Sequence, residues 1–306
     1  MNKNLLSIKD INKQDINLLF QMASELKTRR KRGEKIIHLL DGKSLGLLFE
    51  KLSTRTRISF EIAIRELGGN SLFLQSEQLQ LKRGETLSDA AKIFSLYLDA
   101  LAVRTYNHDN LTKLAENSSI PVINALSDFS HPCQILSDMF TIKEKVGKLE
   151  DVKLTYIGAG NNVCNSLIYG SAKTGINLTI SSPKGYEPSS GILEDAQKIN
   201  PKCKIKLLSN PIEAVKNADV IYTDVWVSMG EEEQKKARLN AFRDFQINEK
   251  LVKAAKKHVL VMHCLPAHRG EEITSEVLDG THSIVWEQAE NKLHAQKALL
   301  VLLLGK

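Results

Sequence analysis

The sequence predicts an α/β protein of two domains, each a parallel sheet flanked by helices, with its active site in the interdomain cleft. Three observations carry this. Short β-branched or apolar runs alternate with amphipathic helical stretches along most of the chain, the order that βαβ crossovers produce. The 306 residues amount to about two domains at the usual ~150 residues each. Nearly every strand candidate ends in polar, ligand-capable residues, and open α/β sheets bind ligands at the carboxyl ends of their strands.

In the first half the strands are expected at Ser44 to Phe49, Ala100 to Val103 and Ile120 to Asn124. In the second half they fall at Lys153 to Ile157, Leu178 to Ile180, Val220 to Thr223 and Val259 to Met262. A long helix over Pro132 to Val146 separates the two sets, with Pro132 suited to a first helical position and Gly147 to the stop. Asn291 to Leu304 reads as a last helix able to pack back on either half.

Composition bounds the function. With 42% hydrophobic and 25% charged residues, the chain falls outside the disordered, collagenous and disulfide-scaffold classes. Cys133, Cys164, Cys203 and Cys264 are scattered without a C-x-x-C pair, which fits reduced thiols and no structural zinc site. The net charge of +6 is too small to mark a nucleic-acid partner, and only Lys27 to Lys35 is dense in charge, which reads as a solvated helix end. A small anionic substrate remains the use to which surplus positive charge is best put. Met1 to Asp10 lacks the apolar core of a signal peptide, and the apolar run Ala298 to Leu304 is far short of the ~18 residues that span a bilayer. A cytoplasmic protein with no membrane partner is expected.

The motifs sit at strand ends. Ser53-Thr54-Arg55-Thr56-Arg57 follows a strand and opens a helix whose Phe60, Ala63, Ile64 and Leu67 fall on one face. Hydroxyls, unpaired amides and two guanidiniums at one helix start make an anion cradle, since the helix dipole and forked Arg bonds both favour phosphate. A Ser/Thr cap with surface arginines is the plainer reading, and it leaves most of these groups unexplained. Gly158-Ala159-Gly160 after a strand invites a dinucleotide reading. Against it, Val163 stands where the third glycine belongs, and Ser181 and Ser182 where an acid for the ribose belongs. His263, Cys264 and His268 match no closed zinc spacing.

The Ser53–Arg57 run resembles the carbamoyl phosphate signature of the transcarbamylases. Other motifs follow in order: Gln80 in Gln80-Leu81-Lys82-Arg83-Gly84-Glu85, Arg104, His131-Pro132-Cys133-Gln134, Gly158 to Asn162, Asp224 to Gly230 and His263-Cys264-Leu265-Pro266. Together they resemble the ornithine-specific branch of the aspartate/ornithine transcarbamylase family over essentially the whole chain. The Ser228-Met229-Gly230 loop speaks against putrescine, acylated ornithine or aspartate as acceptor.

The resemblance implies carbamoyl transfer from carbamoyl phosphate to L-ornithine, with no metal or organic cofactor and biosynthetic use preferred to degradative. It implies a carbamoyl phosphate-binding domain at 1–140, on which a C-terminal helix at 288–306 packs back, and an ornithine-binding domain at 141–287. Ser53, Thr54, Arg55 and Thr56 would hold the phosphate. Arg104, His131 and Thr56 would donate to the carbonyl oxygen, and Gln134 with the Leu265 carbonyl would hold the carbamoyl NH2. Asn162, Asp224, Ser228 and Met229 would bind ornithine, with Cys264 beside the reactive amine. The family also implies a homotrimer in which Gln80 reaches a neighbouring subunit's site, and a cis Leu265–Pro266 bond. Two positions depart from the family: Ala159 replaces a frequent acid, and Lys292 stands where an arginine for carbamoyl phosphate is usual.

Overall fold

The computed structural model describes residues 2–76, 79–80, 84–227 and 232–305. The chain divides into two units, Met1–Phe140 with Glu290–Lys306, and Thr141–Ala289.

Unit 1 runs α1 (Lys13–Lys31), β1 (Ser44–Phe49), α2 (Arg55–Glu66), β2 (Asn70–Gln75), α3 (Leu87–Tyr97), β3 (Ala100–Arg104), α4 (His108–Asn117), β4 (Val122–Leu126) and the start of α5 (Pro132–Val146). Local chemistry sets the starts. Asn12 and Asp15 cap α1 reciprocally, side chain to backbone in both directions, and the Thr86 hydroxyl accepts from Asp89 N to open α3. The strands are all parallel in the order β2-β1-β3-β4. The apolar run Leu45 to Phe49 is buried on both faces because helices cover both sides, whereas β2 at the edge stays partly exposed. Register matters for the site: Phe49 lies beside Arg104, so the loop after β1 starts level with the end of β3.

Unit 2 continues with β5 (Lys153–Ile157), α6 (Asn162–Thr174), β6 (Asn177–Ser181), α7 (Ser190–Ile199), β7 (Ile205–Leu208), α8 (Pro211–Ala214), β8 (Val220–Thr223), α9 (Lys235–Phe242), α10 (Glu249–Ala254), β9 (Leu260–His263) and α11 (Ser275–Leu278). Its parallel sheet has the order β7-β6-β5-β8-β9. Helix α6 ends on Gly175 in the left-handed conformation, φ +82°, which a side chain would strain. Phe242 centres one core cluster, with Tyr186, Trp226 and Phe245 rings 5.0 to 6.0 Å away. The last helix, α12 (Val285–Leu304), begins in unit 2 and ends in unit 1.

Three differences from the sequence expectations stand out. The edge strands β2 and β7 were not expected, and β4 lies two residues later than Ile120 to Asn124. Lys27 does not belong to a solvated helix end: it is buried and donates to Asn291 Oδ1 at 2.6 Å. Arg30 donates through Nε to both oxygens of Glu66, at 3.0 and 3.1 Å, and the fully buried Lys297 reaches the same carboxylate at 3.1 Å. A cluster of charges thus joins α1, α2 and the C-terminal part of α12 inside unit 1. None of the helices in the described residues is long and apolar enough to cross a membrane.

Candidate active site

In each sheet the strand order reverses once, between β1 and β3 in unit 1 and between β5 and β8 in unit 2. Crossovers leave those two strand ends on opposite sides of the sheet, which opens a crevice at the carboxyl edge. The sequence motifs fall at both reversal points.

In unit 1, the loop after β1 turns into α2 at Thr54, whose backbone caps the helix while its side chain makes no capping bond. Among the described residues no hydrogen bond engages the hydroxyls of Ser53, Thr54 or Thr56. Thr56 is buried at the first turn of α2, where the helix amides have no internal acceptor. Arg104 ends β3 and is buried, yet its Nε has no hydrogen-bond partner. Burial, and then the neighbouring Arg55 charge, pull its pKa down to about 10. It stays cationic near neutrality, and no ion pair answers it among the described residues. Arg57 departs from the expected pair of guanidiniums: its Nε donates to Glu61 at 2.8 Å and its guanidinium stacks 3.5 Å from the Phe73 ring centroid. Those contacts turn Arg57 toward a pocket of about 630 Å³ lined by Ser53, Thr54, Phe73 and Gln75.

His131 and Gln134 stand at the start of α5. His131 is buried, and burial first, then Lys292 and Arg104, depress its pKa well below the ordinary range, so the ring is neutral. Gln134 is fixed at both ends: its Nε2 donates to Asp138 Oδ1 at 2.9 Å, and its Oε1 accepts from Lys292 Nζ at 2.9 Å. Asp138 was missed in the sequence, although its i+4 spacing from Gln134 on one helix was a usable signal. Lys292 is buried and belongs to this cluster through Gln134. Gln80 is exposed in the turn after β2, and no hydrogen bond or ion pair joins its side chain to the cluster among the described residues.

In unit 2, Asn161 caps α6 by accepting from Val163 N and Cys164 N, each at 3.0 Å, and turns its amide to Asp224 Oδ2 at 2.8 Å. Asn162 opens α6 next to it and is half-buried. Asp224 follows β8, and its Oδ1 accepts from Cys264 Sγ and from Val225 N, both at 2.8 Å. Tyr156 OH donates to the Ala159 carbonyl at 3.0 Å. Gly160 leaves no room for a pyrophosphate approach: a Cβ there would lie 2.3 Å from Pro188 N, and Gly160 N donates to Tyr186 O at 2.7 Å. The chain's own backbone fills the space that a dinucleotide loop keeps open.

After β9, His263 and Cys264 point to different partners and share no ligand geometry. His263 Nε2 meets Glu272 Oε1 at 2.9 Å, both side chains fully buried, and His263 Nδ1 accepts from Leu265 N at 2.8 Å. These bonds hold a turn in which Leu265 has φ +58° and Leu265–Pro266 is cis. Glu272 had no signal in the sequence, since nothing in its spacing ties it to His263. Ser228 and Met229 lie outside the described residues.

A first sheet with a buried arginine at its reversal point, and a second whose reversal point carries a carboxylate, define the class: a two-domain α/β protein with ligand-capable groups at the carboxyl edge of each sheet. Family models agree and are more particular. Residues 3–144 match the aspartate/ornithine carbamoyltransferase carbamoyl-P binding domain, and residues 150–303 match the Asp/Orn binding domain of the same family. An ornithine carbamoyltransferase from Syntrophus aciditrophicus is 51% identical over 304 residues, covering 99% of this chain and 100% of the relative. The anabolic ornithine carbamoyltransferase of Pyrococcus furiosus is 48% identical, covering 99% and 96%. The solved ornithine carbamoyltransferase structure from Pyrococcus furiosus superposes with a TM-score of 0.95 at 48% identity, over 98% of this chain and 96% of that one. The chain belongs to the aspartate/ornithine carbamoyltransferase family.

Proposed function

We propose that this chain transfers the carbamoyl group of carbamoyl phosphate to the side-chain amine of L-ornithine, giving L-citrulline and phosphate in arginine biosynthesis. The observation that carries the reading is Arg104, a buried cation with no acceptor for its Nε, beside Arg55 and three hydroxyls that no internal bond engages. Buried polar groups demand partners, and an anionic donor supplies them.

In this reading Ser53, Thr54, Arg55 and Thr56 hold the phosphate, and Arg104, neutral His131 and Thr56 donate to the carbonyl oxygen. The deprotonated amine attacks the carbonyl carbon, and negative charge gathers on that oxygen in the tetrahedral intermediate. Donors already in place stabilise it without reorganising. The bond to the bridging oxygen then breaks, and the departing phosphate takes up the proton that the nitrogen gives up. Gln134, held by Lys292 and Asp138, offers its carbonyl oxygen to the carbamoyl NH2, and Leu265 offers a further carbonyl.

Asp224, oriented by Asn161 and Cys264, receives the ammonium of ornithine, with Asn162, Ser228 and Met229 completing the acceptor site and Cys264 next to the reactive amine. A carboxylate at this position repels the extra carboxylate of aspartate, which supports ornithine. The assembly is a homotrimer with Gln80 serving a neighbouring subunit. The four free thiols fit a cytoplasmic address.

A citrulline assay with ornithine, putrescine, N-acetylornithine and aspartate tests the reaction. Turnover is expected with ornithine and lost in Asp224→Ala; no turnover with ornithine ends the proposal. Mixing Arg55→Ala with Gln80→Ala chains should restore activity in hybrid trimers, and hybrids no better than either parent would end the shared site.

A further inference from the structure

We propose that His268, Glu271 and Glu272 form a binding site for a divalent first-row transition-metal ion, Zn2+ foremost. The site lies in unit 2 just after the Leu265–Pro266 turn and involves none of the residues assigned to substrate. Glu272 is fully buried, and only one of its oxygens is served. Oε1 accepts from His263 Nε2 at 2.9 Å and from His268 N at 2.6 Å. Oε2 is equally buried and has no hydrogen-bond donor among the described residues. A carboxylate oxygen left so inside a protein is costly unless a cation answers it.

What faces that oxygen is a ligand set. His268 Nδ1 lies 3.7 Å from Glu272 Oε2 and 3.8 Å from Glu271 Oε2. The ligand atoms of all three residues fall within 4.8 Å of one another. These spacings are too long for hydrogen bonds. The two His268–carboxylate spacings are within about half an ångström of the ~3.3–3.4 Å edge of a tetrahedron with metal bonds of ~2.0–2.1 Å, and the carboxylate pair, no more than 4.8 Å apart, closes by movement of Glu271.

Two of the three side chains can make that movement, being 49% and 31% exposed for His268 and Glu271, while Glu272 is the fixed corner. Solvent fills the fourth position. Competing cations are weakly placed: Lys235 Nζ is 4.0 Å from the other oxygen of Glu271, and Arg269 is engaged by Asp279. One imidazole with two carboxylates suits borderline ions such as Zn2+, Co2+ and Mn2+, while Mg2+ and Ca2+ prefer all-oxygen sites. A bound ion shares Glu272 with His263 and so sits one residue removed from the imidazole that fixes the Leu265 turn.

Metal-stripped, untagged full-length protein titrated with Zn2+ under equilibrium dialysis, and with Co2+ followed by visible absorption, tests the site. One ion per chain is expected. The Co2+ spectrum should lack a thiolate charge-transfer band, and the His263 imidazole 15N resonances should shift in step with occupancy. His268→Ala and Glu271→Gln, both at accessible side chains, should each weaken binding at least tenfold, and Cys264→Ser should leave it unchanged. No saturable ion in the wild type overturns the proposal. So does a thiolate band that disappears in Cys264→Ser, or binding that survives intact in His268→Ala.

Discussion

Replacing Glu66 by glutamine should destabilise unit 1 far more than replacing Lys297 by methionine, although the two side chains form one ion pair. Lys297 Nζ is fully buried, 3.1 Å from Glu66 Oε2. Glu66 has a second cation, the half-exposed Arg30, bound through both oxygens. Removing the carboxylate strands Lys297 in the interior, at a cost of about 3–5 kcal/mol for one partner of a buried pair. Removing the ammonium leaves Glu66 neutralised by Arg30 and substitutes an apolar chain of similar length, so about 1 kcal/mol or less is expected. The double substitution should return close to the Lys297→Met value.

The pH dependence gives the sharper signature. Burial already pulls the Lys297 pKa below its ordinary value, with Glu66 opposing that pull. Without Glu66 the folded pKa drops further. A lysine whose folded pKa lies below its unfolded one binds fewer protons in the native state, so stability is regained as pH rises between the two values. The gain is at most ~1.4 kcal/mol per pH unit. The deficit of Glu66→Gln should therefore narrow from pH 7 to pH 10, while that of Lys297→Met should widen slightly, because the wild-type lysine, itself lowered, gains stability over the same range. Hydrogen exchange of β1 and α2 peptides, followed by mass spectrometry in the full chain, reads unit 1 separately from unit 2. Equal, pH-independent losses in the two single variants would refute the reasoning. The point bears on function because Glu66 closes the helix whose first turn carries Arg55 and Thr56.

Three further outcomes are expected. His294 is buried with neither ring nitrogen hydrogen-bonded among the described residues, and burial lowers its pKa to about 3. Its folded pKa lies below the unfolded one, so stability is lost as pH falls below ~6.5, by about 2 kcal/mol at pH 5; His294→Leu should flatten that acid limb in the same exchange measurement. Asn161→Ala removes a helix cap and a bond to Asp224, and should cost unit 2 about 1–2 kcal/mol in urea unfolding and raise the KM for ornithine, leaving that for carbamoyl phosphate unchanged. Lys292→Met should raise the KM for carbamoyl phosphate about tenfold, the equivalent of ~1.4 kcal/mol, by freeing Gln134 Oε1, with Lys292→Arg restoring part of the loss; an unchanged KM in the methionine variant refutes a positioning role.

Most of the fold was legible because its central strands are continuous apolar runs and its helices carry local start signals. Edge strands escaped for a physical reason. Ile205 to Leu208 is only four residues long, is interrupted by Lys206 and stays partly exposed, so burial never imprinted a long apolar run on it. At the site, residues next to one another in sequence were found, and those joined only by folding were not. Asn161 and its cap could be read from Gly158 to Asn162. That its amide would reach Asp224, or that Glu272 would seize His263, depends on strand order, which residue spacing does not encode. Arg57 shows how a local partner intervenes: Glu61 one turn later engages its Nε, while the guanidinium still lines a pocket with Ser53 and Thr54.

The net charge of +6 was a poor guide to ligand because many cations of unit 1 are spent inside it. Arg30 and Lys297 answer Glu66, Lys27 answers Asn291, and Lys292 answers Gln134. Each is a buried or half-buried cation whose donor has found an internal acceptor. Arg104 is different in kind: it is buried and charged, it lies in the field of Arg55, and its Nε has no partner. The sheet places it there because β3 lies beside β1 at the point where strand order reverses, and the first turn of α2 follows directly with its unengaged hydroxyls. A buried cation left open at a strand edge calls for an anion at that edge, and the net charge of the chain carries no trace of it.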